Sequence, residues 1–189
     1  MLLAVEAINV YFAFEESRSQ IIRNMKSIGI DLEQWASAGL LEFKVSRPTH
    51  FGLEMHLVNM YRSVTDFKPQ VVVVDPISTL TAVGSAFEVK LMLTRMIDFL
   101  KLQNITLILL DLSSVEQTEQ TNIGISSLAD TWIALRQIES NGERNRGLYI
   151  LKSRGIAHSN QIREFVLTSN GVKMLDVYKI GRASCWERV

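Results

Sequence analysis

The sequence predicts an α/β protein whose mostly parallel sheet carries helices on its faces and ends in an antiparallel β-meander. Three observations carry that reading. The run Val71-Val72-Val73-Val74 is β-branched and unbroken, the mark of a strand buried on both faces. Around it, short apolar runs alternate with segments of helical periodicity, as strand–helix–strand units of a parallel sheet do. From Thr131 onward the helical period disappears, and apolar stretches follow one another across Asn-Gly turns in the manner of hairpins.

The elements follow in order. "INVYFAF" opens with a strand starting near Ile8. In "EESRSQIIRNMKSIG", Ile21, Ile22, Met25 and Ile28 recur at helical spacing, with Ser17 placed to cap the start and Gly29 to stop the end. "IDLEQWASAG" repeats the scheme on a short helix, Asp31 as N-cap and Gly39 as stop, and "LLEFKVS" is a strand closed by Pro48. Beyond Gly52, the residues Leu53, Leu57, Met60, Val64 and Phe67 form the apolar stripe of an amphipathic helix. After the valine strand, Val89, Leu93, Met96 and Leu100 mark another helix, and "ITLILLDLS" another buried strand.

"SSVEQTEQTNIGISSLAD" is polar, aperiodic and longer than an ordinary connection, so it is expected to be a functional loop. "TWIALRQIE", "RGLYILKSRG", "QIREFVLTS" and "GVKMLDVY" then read as shorter strands, with turns at Asn141-Gly142 and Asn170-Gly171. The end of the chain, 179–189, matches neither the periodicity nor the chemistry of the rest and is expected to be a disordered or non-native tail.

With 189 residues and 47% hydrophobic content, one sizeable core in one domain is the default. Twenty Lys and Arg balance 20 Asp and Glu, which argues against an extensive nucleic-acid surface. The single cysteine, Cys185, excludes an internal disulfide and fits a reducing compartment. The apolar start "MLLAVEAINVYFAF" lacks a basic leader and is interrupted by Glu6, so a strand is expected there rather than a signal peptide. No stretch approaches the roughly 20 apolar residues of a spanning helix. A cytoplasmic protein is the expectation.

Several residues are candidates for chemistry. Glu15 and Glu16 close the first strand, where neighbouring side chains point to opposite faces, so at most one of the two faces a given ligand. Both also suit the first turn of the following helix, where carboxylates favour the positive end of the macrodipole. Asp75 ends the valine strand, where open α/β sheets place ligands. It suits Mg²⁺, which uses one or two protein carboxylates and keeps waters and phosphate oxygens, and equally an N-cap of "PIST".

Lys152 and Arg154 alternate around Ser153 at a strand end, fit for a transferring phosphoryl group or simply for a charged strand edge. Ser126 and Ser127 form a serine pair of a commonplace kind at the end of the polar loop. His158, Ser159 and Asp75 do not make a hydrolase triad, because no nucleophile elbow occurs. His50, His56 and His158 lack metal-ligand spacing, and Trp35 and Trp132 read as core.

"YFAFEES", "FKPQVVVVDPISTL", "ISSLADT", "NGERNRGLYILKSRG" and "IREFVLTSNG" occur in the order and approximate spacing of the KaiC-like ATPases, the circadian clock ATPase family with RecA-type domains. The resemblance spans roughly residues 8 to 177 and is nearest to the self-phosphorylating domain of that family. It implies that Glu15 and Glu16 are catalytic carboxylates activating a water or hydroxyl, and that Asp75 is the Walker B acid that orders Mg²⁺. It further implies that Lys152 and Arg154 reach the ATP of a neighbouring subunit in a ring-shaped homo-oligomer, and that Ser126 and Ser127 occupy the phosphoacceptor positions, with serine where the family has threonine in the second.

Two departures stand out. Pro76 replaces the serine after the Walker B acid, and no G-x-x-x-x-G-K-[ST] phosphate loop occurs in the chain. On the resemblance, residues 1–178 are therefore expected to be a truncated KaiC/RecA-like domain missing that loop. The implied function is ATP hydrolysis at subunit interfaces with serine/threonine autophosphorylation. The alternative is a nucleotide-free binding or regulatory module that associates with full-length KaiC-like subunits, and a DNA-binding role ranks third.

Overall fold

The computed structural model describes residues 7–112, 123–140 and 143–175. The expected Asn141-Gly142 turn, most of the polar loop (113–122) and the end of the chain after 175, Cys185 included, lie outside the described residues. The chain divides into two units, Met1–Leu128 and Ala129–Val189.

In the first unit the order is β1 (Asn9–Ala13), α1 (Arg18–Ser27), α2 (Leu32–Ser37), β2 (Leu41–Val45), α3 (Leu53–Phe67), β3 (Val71–Asp75), α4 (Ala86–Leu102) and β4 (Thr106–Leu109). The four strands lie in the order β2-β1-β3-β4 and every pair is parallel. This is the expected strand–helix alternation, and it gives the sheet two covered faces.

Strand pleating distributes the side chains. Val10, Phe12, Phe14, Val72 and Val74 pack with Leu57, Met60, Val64, Leu93, Met96 and Leu100 of α3 and α4 on one face. Tyr11, Ala13 and Val73 pack with Ile21 of α1, Leu32 of α2 and Leu41 on the other. The stripes expected from sequence are thus the buried stripes of α3 and α4, and Trp35 packs at the edge of the second cluster. Trp132 is only partly buried.

Local capping holds the helix ends. Ser17 accepts from the Gln20 amide while Gln20 reaches back to the Ser17 amide, a capping box for α1. Gly29 leaves α1 at φ +77°, the left-handed conformation that glycine adopts without a Cβ clash. Asp31 caps α2 by accepting from the Glu33 amide. A second capping box pairs Ser85 with Glu88 at α4. There the Ser85 amide and then its hydroxyl hold the Glu88 carboxyl below its usual range.

Strand β4 differs from the expectation of full burial. It pairs with β3 alone among the described residues, Thr106 is exposed, and its three following residues are half-buried. An edge position exposes part of a strand however apolar its sequence, because only one flank is covered.

The second unit is an antiparallel sheet in the order β5 (Thr131–Ser140), β6 (Glu143–Ser153), β7 (Arg163–Thr168) and β8 (Gly171–Met174). The meander is as expected, but β5 and β6 span 10 and 11 residues and are longer than the parallel strands. They pair from Ser140↔Glu143 to Thr131↔Ser153, with one irregularity at Trp132/Ile133. Gly147 makes room in this hairpin: a Cβ there would lie 2.5 Å from Ile138 Cδ1 and 3.0 Å from Ile162 Cγ2.

The burial pattern sets a stability expectation. Leu93 has no exposed surface and Leu102 is 85% exposed. Leu93→Ala should lower stability by about 2–5 kcal/mol in urea denaturation, whereas Leu102→Ala should stay within about 0.5 kcal/mol of the parent.

Candidate active site at the carboxyl edge of the parallel sheet

Strands β1 and β3 are neighbours in register, Ala13 opposite Asp75, so both end at the same edge of the sheet. The chain then turns out of β1, with the Phe14 amide still donating to the Asp75 carbonyl at 2.8 Å. Phe14 is buried and lies edge-on to His56 at 5.3 Å. His56, itself buried, bonds through Nε2 to the Pro48 carbonyl at 2.8 Å, so it is a satisfied core histidine.

Glu15 and Glu16 follow Phe14 in a bend, both exposed, rather than on β1 itself. The expected division of the two by strand alternation therefore does not apply, because the ladder ends at Ala13 and the backbone is no longer pleated. What separates them is their partners. Asn24 Nδ2 of α1 donates to Glu16 Oε1 at 3.1 Å, while Glu15 forms no hydrogen bond or ion pair among the described residues. Neither lies in α1, which begins at Arg18, beyond the Ser17 cap.

Asp75 is the last residue of β3 and is half-buried; the peptide bond to Pro76 is cis. It caps no helix: the short 3₁₀ turn Ser78–Ala82 starts beyond it and has no side-chain cap. Its Oδ2 accepts a hydrogen bond from the hydroxyl of Tyr11. Burial, then the bond to and charge of Asp75, then the charge of Glu16, push the Tyr11 phenol far above its usual range, so it stays a proton donor. Glu16 and Asp75 thus act electrostatically on one point at the sheet edge.

A further carboxylate follows β4. Asp111 sits half-buried behind Leu110, whose carbonyl accepts from the Ile77 amide at 2.8 Å. Burial pushes the Asp111 carboxyl up, opposed by the Ser78 hydroxyl and the Leu112 amide. The serine is near but poorly aimed: Asp111 Oδ1 and Ser78 Oγ are both buried without a hydrogen-bond partner. Neither Tyr11 nor Asp111 was singled out from sequence. Asp111 carried the signal that marked Asp75, an acid closing an apolar run, whereas Tyr11 becomes meaningful only through its register beside Val73.

The other candidates lie elsewhere. Ser126 and Ser127 form part of the single 3₁₀ turn Ile125–Ser127, Ser126 half-buried and Ser127 exposed. Lys152 and Arg154 belong to the second unit. Lys152 is within β6, but Arg154 lies just past its end, so the shared face expected from alternation does not follow. The Arg154 amide donates to the Asp130 carbonyl at 2.8 Å, and its guanidinium lies 3.7 Å from the Asp130 carboxylate. A groove of about 570 Å³ runs along α1, lined among others by Arg18, Arg23, Lys26 and Glu33, and does not include Asp75 or Tyr11.

Among the described residues no three His, Cys, Asp or Glu side chains gather into a complete metal site. Asp75 nonetheless fits Mg²⁺, which needs only one or two carboxylates, and its Oδ1 carries no hydrogen bond among the described residues. No helix among them is long and apolar enough to cross a membrane.

A parallel sheet with acids at the carboxyl ends of adjacent central strands, followed by an antiparallel sheet, is a RecA-like α/β arrangement. The family model for the KaiC ATPase matches residues 4–178, and the chain belongs to that family. It is 49% identical over 172 residues to the circadian clock protein KaiC2 of Synechocystis sp., covering 89% of this chain and 30% of that protein. It is 36% identical over 168 residues to KaiC3 of the same organism, covering 85% and 32%. To the circadian clock oscillator protein KaiC of Thermostichus vulcanus it is 34% identical over 170 residues, covering 89% and 33%. The chain spans about a third of the length of these curated relatives.

The Asp111 environment sets a pH dependence. A carboxyl whose pKa is raised by folding favours the fold below its unfolded pKa, and that contribution is lost as pH rises through the raised value. Asp111→Asn should therefore raise the melting temperature at pH 8, and the gain should shrink toward pH 4. Thermal melts across that range check it, and a gain independent of pH would assign the effect to something other than ionisation.

Proposed function

We propose that this chain supplies the catalytic carboxylates and the cation ligand of an ATP-hydrolysing site completed between subunits of a ring. The observation that carries the reading is the meeting of Glu15, Glu16 and Asp75 at the ends of two adjacent parallel strands in a KaiC-family domain. Glu15 is the better general base of the pair: Glu16 already accepts a bond from Asn24, whereas Glu15 is exposed and unpartnered among the described residues. Its carboxylate takes the proton of the attacking water as that oxygen bonds to the γ-phosphorus and the bridging P–O bond to ADP breaks.

Asp75 would hold Mg²⁺, which when bound neutralises charge on the phosphate oxygens. Lys152 and Arg154 would act on the nucleotide of the adjacent subunit as fixed positive charge. The same base, directed at a serine hydroxyl in place of water, would serve autophosphorylation of Ser126 or Ser127. A second reading is a module that associates with KaiC-like subunits without holding nucleotide.

A first experiment asks whether the 189 residues hold nucleotide by themselves. Calorimetric titration of the 189-residue chain with Mg-ATP should show binding weaker than micromolar, because the backbone N–H cradle of a phosphate loop is not among its residues. A micromolar dissociation constant would show that other residues hold the phosphates.

In a chain extended ahead of residue 1 by a phosphate-loop segment, Glu15→Gln should lower ATP turnover on the order of 10²-fold and more than Glu16→Gln. Equal effects, or none, would remove the assignment. In the same background, mixing Arg154→Ala subunits with Glu15→Gln subunits should recover part of the activity, since some junctions pair an intact carboxylate with an intact arginine. No recovery in a preparation shown by light scattering to be oligomeric would refute the role across subunits.

A further inference from the structure

We propose that Tyr11 is a positioning residue for Asp75, fixing the orientation of its carboxylate and thereby setting the affinity for a divalent cation at that position. The inference deepens the proposed function and rests on its reading of Asp75 as a cation ligand.

The geometry begins with register. Tyr11 lies opposite Val73 across the central strand pair, and pleating puts Asp75 on the same face of the sheet as Val73. The ring is buried among Ala13, Ile21, Leu32, Leu41 and Val73, and stacks at a tilt against Phe43 with centroids 5.7 Å apart. It is only 6% exposed, so packing holds its two side-chain torsions and delivers the hydroxyl to one point at the carboxyl edge. A buried phenol needs a hydrogen-bond partner, and Asp75 Oδ2 is the one it has.

For Asp75 the consequence is orientation. The terminal torsion of an aspartate is broad and does not choose a direction by itself. A donor mounted on an immobile ring chooses it, occupying Oδ2 and leaving Oδ1 to face a cation. A phenol carries its proton at neutral pH and so serves as the donor in this pair. Partners of this kind behind a metal ligand typically change affinity by about 10–100-fold when removed. A phenylalanine in the same place would fill the same volume and leave the carboxylate unguided.

The test uses the ¹⁵N-labelled 189-residue chain, with Mn²⁺ as the probe and paramagnetic broadening of the Val74, Asp75 and Ile77 amide signals as the readout. Asp75→Asn should abolish the broadening. Tyr11→Phe should need about 10-fold more Mn²⁺ for half-broadening, with its melting temperature and amide spectrum close to those of the parent. Placing 4-aminophenylalanine at position 11, which restores a donor on the same ring, should recover most of the affinity.

If Tyr11→Phe titrates like the parent while Asp75→Asn loses the effect, the positioning role is overturned and the cation reading stands. If Asp75→Asn broadens like the parent, the cation reading falls and takes the positioning role with it. If the 4-amino ring fails to recover affinity in a folded chain, ring packing rather than hydrogen bonding is responsible, and the proposal is again overturned.

Discussion

The pairing of β1 with β3 is the constraint on which the carboxyl edge depends. Both strands are central, with Val10, Val72 and Val74 fully buried on one face and Tyr11, Ala13 and Val73 nearly so on the other. Burial on two faces leaves no freedom of register, since a slip of one residue would exchange the faces and send Asp75 toward α3 and α4. The Phe14–Asp75 backbone bond carries this registration one step past the strands, into the bend where Glu15 and Glu16 stand. The apolar core thus sets the spacing of acids that have no apolar role of their own.

That placement is electrostatically unfavourable by itself. Like charges at one sheet edge are costly in general, and among the described residues the side-chain partners of Glu16 and Asp75 are neutral hydrogen-bond donors. Asn24 donates to Glu16 and Tyr11 to Asp75. Both donors lower the cost of holding an anion without cancelling its charge. On the proposed reading an edge arranged in this way would keep its negative field available to a cation brought from outside, which an arginine there would quench. Asp111 shows the opposite case: a half-buried carboxyl with an unpartnered oxygen, which burial pushes toward its neutral form.

The fold was largely legible because its signals are local. Three apolar stripes at helical spacing, the caps Ser17 and Asp31, and the stop at Gly29 each declare themselves within a few residues and each recur in the structure. Where the reading departed, the determinant was nonlocal. "ITLILLDLS" is as apolar as a central strand, but its exposure depends on what lies beside it. Alternation in the sequence places Glu15 and Glu16 on strand faces, but it does not show that the ladder ends at Ala13. Tyr11 was invisible as a site residue because its meaning lies in a partner 64 positions away. The capping box of Ser85 and Glu88 was legible in principle, being an S-x-x-E ahead of an apolar stripe.

The cations of the second unit complete the physical picture. Arg154 is engaged with Asp130, yet at 3.7 Å and with both side chains more than half exposed this is a loose pair. Pairs of this kind contribute about 0–1 kcal/mol, and the solvent that screens them also competes for the guanidinium. A triphosphate presents several anionic oxygens at once and suits the planar fork of arginine for two bonds together. On the proposed reading Arg154 would exchange this contact for such a partner. The Asp130 contacts hold the Arg154 backbone and side chain at the end of β6. On the proposed reading Arg154 would bring its charge to the site from the end of β6, while the Glu16 and Asp75 carboxylates are met by the neutral donors Asn24 and Tyr11.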